Sequence, residues 1–252
     1  MVKLKSEEEI KILREGGKIL SRIIKDLAKK VKPGVLTKDL DWWAENSILK
    51  VGGKPAFKNY KPDFAVRAYP ATICASVNSV VVHGIPNNQP LQEGDILSLD
   101  IGMEYKKLFT DMAITIGVGK ISSQAKKMIE VTKKTLDLAI QECEVGASLG
   151  NVGYVIEKYV RSQGFREVRM LTGHGVGYQP HEDPDVLNFG DAGKGLKLKE
   201  GMVIAIEPMV SAGSGDVVER YDGSFITKEE CLSCHFEHTV AITAKGPIIL
   251  TK

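Results

Sequence analysis

Four acidic residues of this chain lie in stretches where a carboxylate is costly. Asp100 stands in SLDIG, Asp111 in FTDMA, Glu207 in VIAIEPMV and Glu237 in FEHTVAIT. On strand alternation, Ile96, Ser98 and Asp100 share one face, and Leu97, Leu99 and Ile101 the other. A carboxylate taken out of water needs a cation or hydrogen-bond donors. For any one of the four alone, partial exposure or pairing with a basic side chain is the simpler reading. Together they argue differently, because no lysine or arginine lies within ILSLDI or VIAIEPM to neutralise them. A pair of divalent cations is the economical partner, and carboxylates joined by a histidine suit manganese, iron, cobalt or zinc.

The chain has five histidines. His174 stands in GHGVG, where three glycines let the backbone bend tightly and bring the imidazole to a shared centre. These glycines are not a phosphate loop, since the lysine and Ser/Thr of that motif are missing. His83 closes VVVHGIP at a strand end, a place for a donor facing a substrate. His181 follows in a polar, proline-bounded loop. His235 and His238 flank Glu237, and strand alternation is expected to turn both to the face opposite it, as structural residues. Cys231-Leu-Ser-Cys234-His235 matches the C-x-x-C-H of covalent haem attachment. It has neither an export signal nor a second C-x-x-C for zinc, so small apolar residues on a strand is the favoured reading.

The elements that must position these groups show in the hydrophobic spacing. Ser6 to Glu9 has the S-x-x-E of a capping box, and Ile10, Leu13, Gly17, Leu20, Ile24 and Leu27 follow at helical steps, ending before Pro33-Gly34. A second helix is expected over 39–49, closed by Gly52-Gly53. Strand-like runs come next: ATICASV, VVVHGI, ILSLDIGM and MAITIGV. Helical texture returns over 124–142 and 151–161, followed by strands at MVIAIEPMV and HTVAIT. Helix–helix–strands therefore occurs twice. Pro33-Gly34-Val35-Leu36-Thr37 matches Val145-Gly146-Ala147-Ser148-Leu149. The stretch from Glu93 to Asp100 matches that from Glu200 to Glu207. With one residue of slip, Phe109-Thr110-Asp111 matches Phe236-Glu237, each half supplying one early and one late carboxylate. The expected architecture is α+β: one catalytic domain over 1–252, with pseudo-twofold halves of about 1–120 and 121–252. Their strands would form one curved antiparallel sheet with helices on its outer face.

Composition narrows the partners. With 34 basic and 32 acidic residues the net charge is +2, which argues against nucleic acid or an anionic membrane. The N-terminal stretch is charged from its third residue and lacks a signal-peptide core, and no run is long enough to span a bilayer. A cytoplasmic protein is expected. Its four cysteines require no disulfides.

Taken in order, ASVNSVVVHGIPN, GDILSLDIG, FTDMA, LTGHGVG, HEDP, GMVIAIEPM and FEHTVAIT resemble the type I methionine aminopeptidases, over nearly the whole chain. The resemblance implies the pita-bread fold and removal of the initiator methionine from nascent proteins by a hydroxide shared between two divalent ions (cobalt, manganese, iron or zinc). It implies the ligand set Asp100, Asp111, His174, Glu207 and Glu237. Asp111 and Glu237 would bridge both ions, Asp100 would complete one, and His174 with Glu207 the other. His83 would meet the scissile amide nitrogen, His181 the developing oxyanion, and Glu207 would shuttle the proton. Peptide N-termini are the implied substrates, the ribosome is a candidate partner, and a monomer is expected.

The implied methionine pocket departs from the family more than the metal set does. Tyr69 and Cys74 match its tyrosine and cysteine, whereas Val66, Pro180 and Gly223 stand where many bacterial members carry larger aromatic groups. Phe225 is placed to fill part of that wall. The pocket is then expected to be wider, with methionine preference weakened by about 10–200-fold for a methylene-scale contact. The short His174-to-Glu207 interval and the lack of an N-terminal extension resemble the short bacterial form. Two other readings stay open. An Xaa-Pro aminopeptidase or dipeptidase of the same fold usually carries an extra N-terminal domain. An inactive binding protein of this fold typically loses ligands.

Overall fold

The computed structural model describes residues 2–61 and 67–252. Helix α1 (Glu7–Ala28) starts where the capping box predicts: the Ser6 N–H donates to the Glu9 carboxylate at 2.7 Å, and the Glu9 N–H to the Ser6 hydroxyl at 3.3 Å. Its buried stripe includes Leu13, Leu20, Ile24 and Leu27. Helix α2 (Thr37–Lys50) begins two residues before the expected start. It ends in Gly52-Gly53, whose N–H groups donate to Leu49 and Ile48 carbonyls. Helices α3 (Ser123–Gln141) and α4 (Leu149–Ser162) fall where the second helical texture lies.

The strands are β1 (Lys54–Pro55), β2 (Ile73–Val77), β3 (Val80–Val82), β4 (Ile96–Tyr105), β5 (Leu108–Gly117), β6 (Arg166–Glu167), β7 (Thr172–Gly175) and β8 (Glu182–Leu187). They continue as β9 (Val203–Ile206), β10 (Met209–Ser211), β11 (Val217–Glu219), β12 (Phe225–Thr227), β13 (Ser233–His235), β14 (Glu237–Thr243) and β15 (Gly246–Ile249). Among the described residues, nine form one antiparallel sheet in the order β1-β4-β5-β14-β9-β7-β8, with β2 also on β4 and β15 also on β14. The MVIAIEPMV run is two strands, β9 and β10, because Pro208 has no N–H to carry the ladder through.

Each half has its own core. Helices α1 and α2 cover Leu97, Leu99, Ile101 and Met112, while α3 and α4 cover Ile204, Ile206, Val240 and Ile242. A third cluster ties the halves, with Leu13 of α1 against Val203, Ala241 and Leu250. This leaves Asp100, Asp111 and their neighbours on the face away from the helices.

The internal match extends to individual hydrogen bonds. The Gly34 N–H donates to Leu91 at 2.8 Å and the Gly146 N–H to Leu198 at 2.9 Å; the Gly94 N–H donates to Val118 and the Gly201 N–H to Ile242, both at 3.0 Å. Strand register corrects one equivalence drawn from sequence. In the first half Asp100 faces Ala113 and Asp111 faces Gly102. In the second, Ile206 faces His238 and Met209 faces His235, with Glu207 and Glu237 between them. Glu237 is therefore the counterpart of Ala113, and His235 that of Asp111. The apolar pattern does not distinguish the two pairings, because a two-residue shift preserves strand alternation.

The loop bearing His181 is tied to the N-terminal arm. Lys5 Nζ lies 2.6 Å from Glu182 Oε2, with both side chains almost fully buried. The other Glu182 oxygen accepts from the Tyr178 and Gln179 N–H groups. Breaking a buried pair strands a charge and costs about 3–5 kcal/mol, whereas an exposed pair contributes about 0–1 kcal/mol. Lys5→Met is therefore expected to lower the urea midpoint well below that of Lys54→Met, which breaks the exposed Lys54–Glu104 pair. Equal midpoints for the two variants would show that the clamp carries no stability.

Candidate metal centre

Four strands and a bend bring the acidic residues together. Asp100 comes from β4, Asp111 from β5 and Glu237 from the start of β14, while Glu207 follows β9 at the Pro208 break. Asp111 and Glu237 are 4% and 2% exposed, and Glu207 is 9%. Among the described residues none of the four carboxylates has a lysine or arginine partner; the only cation-forming groups near Glu207 are imidazoles. Among the described residues, Asp100 Oδ1 and Glu237 Oε1 are buried without a hydrogen bond. Burial first, then neighbouring carboxylates, pushes the Asp100 and Glu237 carboxyls well above the usual range. Asp111 is also raised by burial, with His174 pulling it back. Such a cluster is a demand for positive charge.

His174 answers from β7. Its Nδ1 lies 2.9 Å from the Gly175 carbonyl, so Nδ1 carries the hydrogen and donates it, leaving the Nε2 lone pair free. Nε2 points at Glu207 Oε1, 3.5 Å away. The glycines beside it are there for close approach: a Cβ on Gly173 would strike the Ala205 carbonyl, and one on Gly175 the Asp183 carbonyl. Donor atoms of Asp111, His174 and Glu237 lie within 4.8 Å of one another, as do those of Glu207, His235 and Glu237. Glu237 belongs to both groups. Two sets sharing a carboxylate suit more than one cation, and oxygen with imidazole nitrogen suits first-row divalent metals. Asp100 is outside both sets but in contact with the Asp111 carboxyl.

The expectation for His235 is overturned. It stands two residues before Glu237, so alternation puts both on one face, and its Nε2 lies 3.2 Å from Glu207 Oε2. His238 does turn away, with Nδ1 3.0 Å from the Thr251 hydroxyl. The C-x-x-C-H run divides accordingly: Cys234 is buried in the second core, His235 faces the carboxylates, and Cys231 Sγ meets Ser211 Oγ at 3.3 Å.

His83 and His181 stand at the solvent side of this cluster, both exposed. His83 follows β3 in a left-handed conformation, φ 59°, unusual outside glycine and common at functional sites. Its ring meets Phe225 edge-on at 5.8 Å. His181 lies 4.3 Å from the His174 ring centre and stacks on Tyr60 at 5.5 Å. Protein packed around its ring, then His174 and His83 beside it, push His181 down to about 3 despite its exposed edge.

Beside Asp100 is a small apolar cluster. Cys74 faces Asp100 across the β2–β4 ladder and packs with Ala56, Phe57, Tyr69 and Phe109. The Tyr69 hydroxyl lies 2.9 Å from the Gly84 carbonyl and 3.0 Å from that of Ile73, so this wall is tied to the His83 turn. Phe57 and Tyr60 were not singled out in the sequence; their signal was only that aromatics precede the first strand of the site. Pro180 is buried beside His181, and Gly223 takes φ 86° in the turn before Phe225, its backbone bonded to His83. Val66 lies outside the described residues.

Comparison with known proteins gives a consistent result. Residues 11–244 match metallopeptidase family M24. The chain is 44% identical to the methionine aminopeptidase of Clostridium perfringens, covering 100% of this chain and 99% of that one. It is 43% identical to methionine aminopeptidase 1 of Bacillus subtilis, covering 100% of both. The crystal structure of the methionine aminopeptidase of Rickettsia prowazekii superposes with a TM-score of 0.96 at 36% identity, covering all of both chains. With the family model spanning most of the chain and relatives aligned end to end, this chain belongs to metallopeptidase family M24, has its pita-bread fold and uses divalent metal.

Proposed function

We propose that this protein is a methionine aminopeptidase, hydrolysing the peptide bond after an N-terminal methionine of nascent chains. The observation that carries the reading is Glu237, shared by two groups of converging donor atoms in a buried carboxylate cluster that has no lysine or arginine partner among the described residues. Full-length likeness to methionine aminopeptidases supports it over the Xaa-Pro reading, and the retained ligands and histidines support it over an inactive binding protein. In this reading residues 1–252 work as one catalytic unit, with the halves about 1–120 and 121–252 each supplying carboxylates. A monomeric, cytoplasmic enzyme meeting its substrates at the ribosome completes it. Among the described residues no helix is long and apolar enough to cross a membrane.

Asp100, Asp111, His174, Glu207 and Glu237 would hold two divalent ions, of cobalt, manganese, iron or zinc. When bound, such a pair polarises a carbonyl oxygen and lowers the pKa of water. Asp111 and Glu237, buried between the two halves, keep the charge that holds the ions. Glu207 is the residue to take a proton and pass it to the leaving amine, being the carboxylate beside two imidazoles. His181, with its ring against His174, is placed to donate to the developing oxyanion. His83, held by its turn and by Phe225, contacts the scissile amide nitrogen. Tyr69 and Cys74, with Phe57, form the wall that receives the methionine side chain, and Phe225 offsets part of what Gly223 and Pro180 leave open.

Asp111→Asn or Glu237→Gln should lose most bound metal after dialysis, measured by elemental analysis, and roughly 10³-fold or more in turnover. Wild-type-like hydrolysis of Met-Ala-Ser by either would reject the ligand assignment. His83→Ala should lower kcat by roughly 10²–10⁴-fold with metal content unchanged; a stripped metal centre would show that His83 has a different role. Across peptides differing in their first residue, assayed with manganese, iron, cobalt or zinc, cleavage should be highest for methionine. Faster cleavage of Ala-Pro than of Met-Ala would favour the Xaa-Pro reading instead.

A further inference from the structure

His235 has the position of a ligand and no other evident employment. Register makes it the counterpart of Asp111: Asp111 faces Gly102 in one half, and His235 faces Met209 in the other. The backbones of the two are held by the same device. The Thr239 hydroxyl donates to the Asp111 carbonyl at 2.8 Å and accepts from its N–H at 2.9 Å. The Thr115 hydroxyl donates to the His235 carbonyl at 2.8 Å and accepts from its N–H at 3.0 Å. Each hydroxyl replaces the partner strand for one residue and fixes where its side chain leaves the sheet.

The His235 residue is 1% exposed. Its Nε2 lies 3.2 Å from Glu207 Oε2, yet the approach is too oblique for a hydrogen bond, and among the described residues Nε2 has no hydrogen-bond partner. A buried imidazole nitrogen without a partner calls for a proton donor or a cation. With Glu207 and Glu237, it has donor atoms within 4.8 Å of one another, a spacing that one first-row ion can span.

We propose that His235 is a further metal ligand, giving through Nε2 a second imidazole nitrogen to the centre beside Glu207 and Glu237. The inference rests on the two-metal reading above. It gives each group of donor atoms an imidazole: His174 with Asp111 and Glu237, and His235 with Glu207 and Glu237. A second imidazole biases the centre towards cobalt, iron or zinc and away from manganese, which carboxylates suit better.

Cobalt(II) is the probe, added to chelator-treated full-length protein. A ligated imidazole leaves one exchangeable N–H beside the paramagnetic ion, so strongly shifted exchangeable proton signals count ligated histidines. Two such signals are expected in the wild type, and one in both His235→Gln and His174→Gln. Cobalt affinity of His235→Gln, measured by titration calorimetry, should fall at least about tenfold, and by more than its manganese affinity does. A single signal in the wild type overturns the proposal even if His235→Gln binds weakly, since His235 then acts on Glu207 alone. That count needs no variant to fold. Asp111→Asn separates the two readings. If it binds cobalt as well as the wild type does, the metal-centre reading itself fails. If it loses cobalt while His235→Gln keeps wild-type affinity and signals, only the role of His235 fails.

Discussion

Negative charge buried without a lysine or arginine partner among the described residues is the constraint around which this molecule is organised. Three carboxylates, Asp111, Glu207 and Glu237, are each no more than 9% exposed, and Asp100 touches Asp111. Taking one ion out of water costs several kcal/mol even after relaxation, and like charges add to that. Flexible loops would let the four swing apart into solvent. Strands do not, and each of these carboxylates is in a strand or one residue from its end. Two apolar cores, one behind each half, keep the strands where they are. The energy stored in the cluster is offset when divalent cations bind, which couples metal affinity to the stability of the fold.

The two halves share a framework but not their chemistry. Equivalent glycines, bridges and threonine hydroxyls recur in both, down to Thr115 and Thr239 bracing the strand next to their own. At the equivalent positions around the centre, however, Asp100 corresponds to Glu207, Ala113 to Glu237, and Asp111 to His235. A duplicated scaffold supplies converging positions. Different residues at those positions supply asymmetry, which a reaction needs if its proton donor and acceptor are to differ.

The solvent side of the centre is built differently from the inside. His83 and His181 come from turns rather than strand interiors, and each turn is tied down by other means. His83 takes a left-handed backbone conformation and is packed against Phe225, while the His181 loop is anchored through Glu182 to buried Lys5. Exposed groups such as these cannot be held by burial. Hydrogen bonds and ion pairs hold it instead.

Much of this was legible in the residues themselves. Periodicity showed the four helices, the capping box showed where the first begins, and apolar runs interrupted by acids showed which strands carry the centre. These are local properties, carried by contiguous residues. The side on which His235 faces is local too, since two residues along a strand from Glu237 is a same-face spacing. The register of the second half was not local: a shift of two residues leaves every apolar side chain facing the core, so only the hydrogen bonds between strands distinguish it. Likewise the Lys5–Glu182 clamp and the Tyr60–His181 stack join residues over a hundred positions apart, and no spacing rule links them. The sequence by itself determined which residues could bear charge in the core and on which elements; tertiary structure decided which of them meet, because meeting depends on strand register and loop closure, which are set by the packed whole.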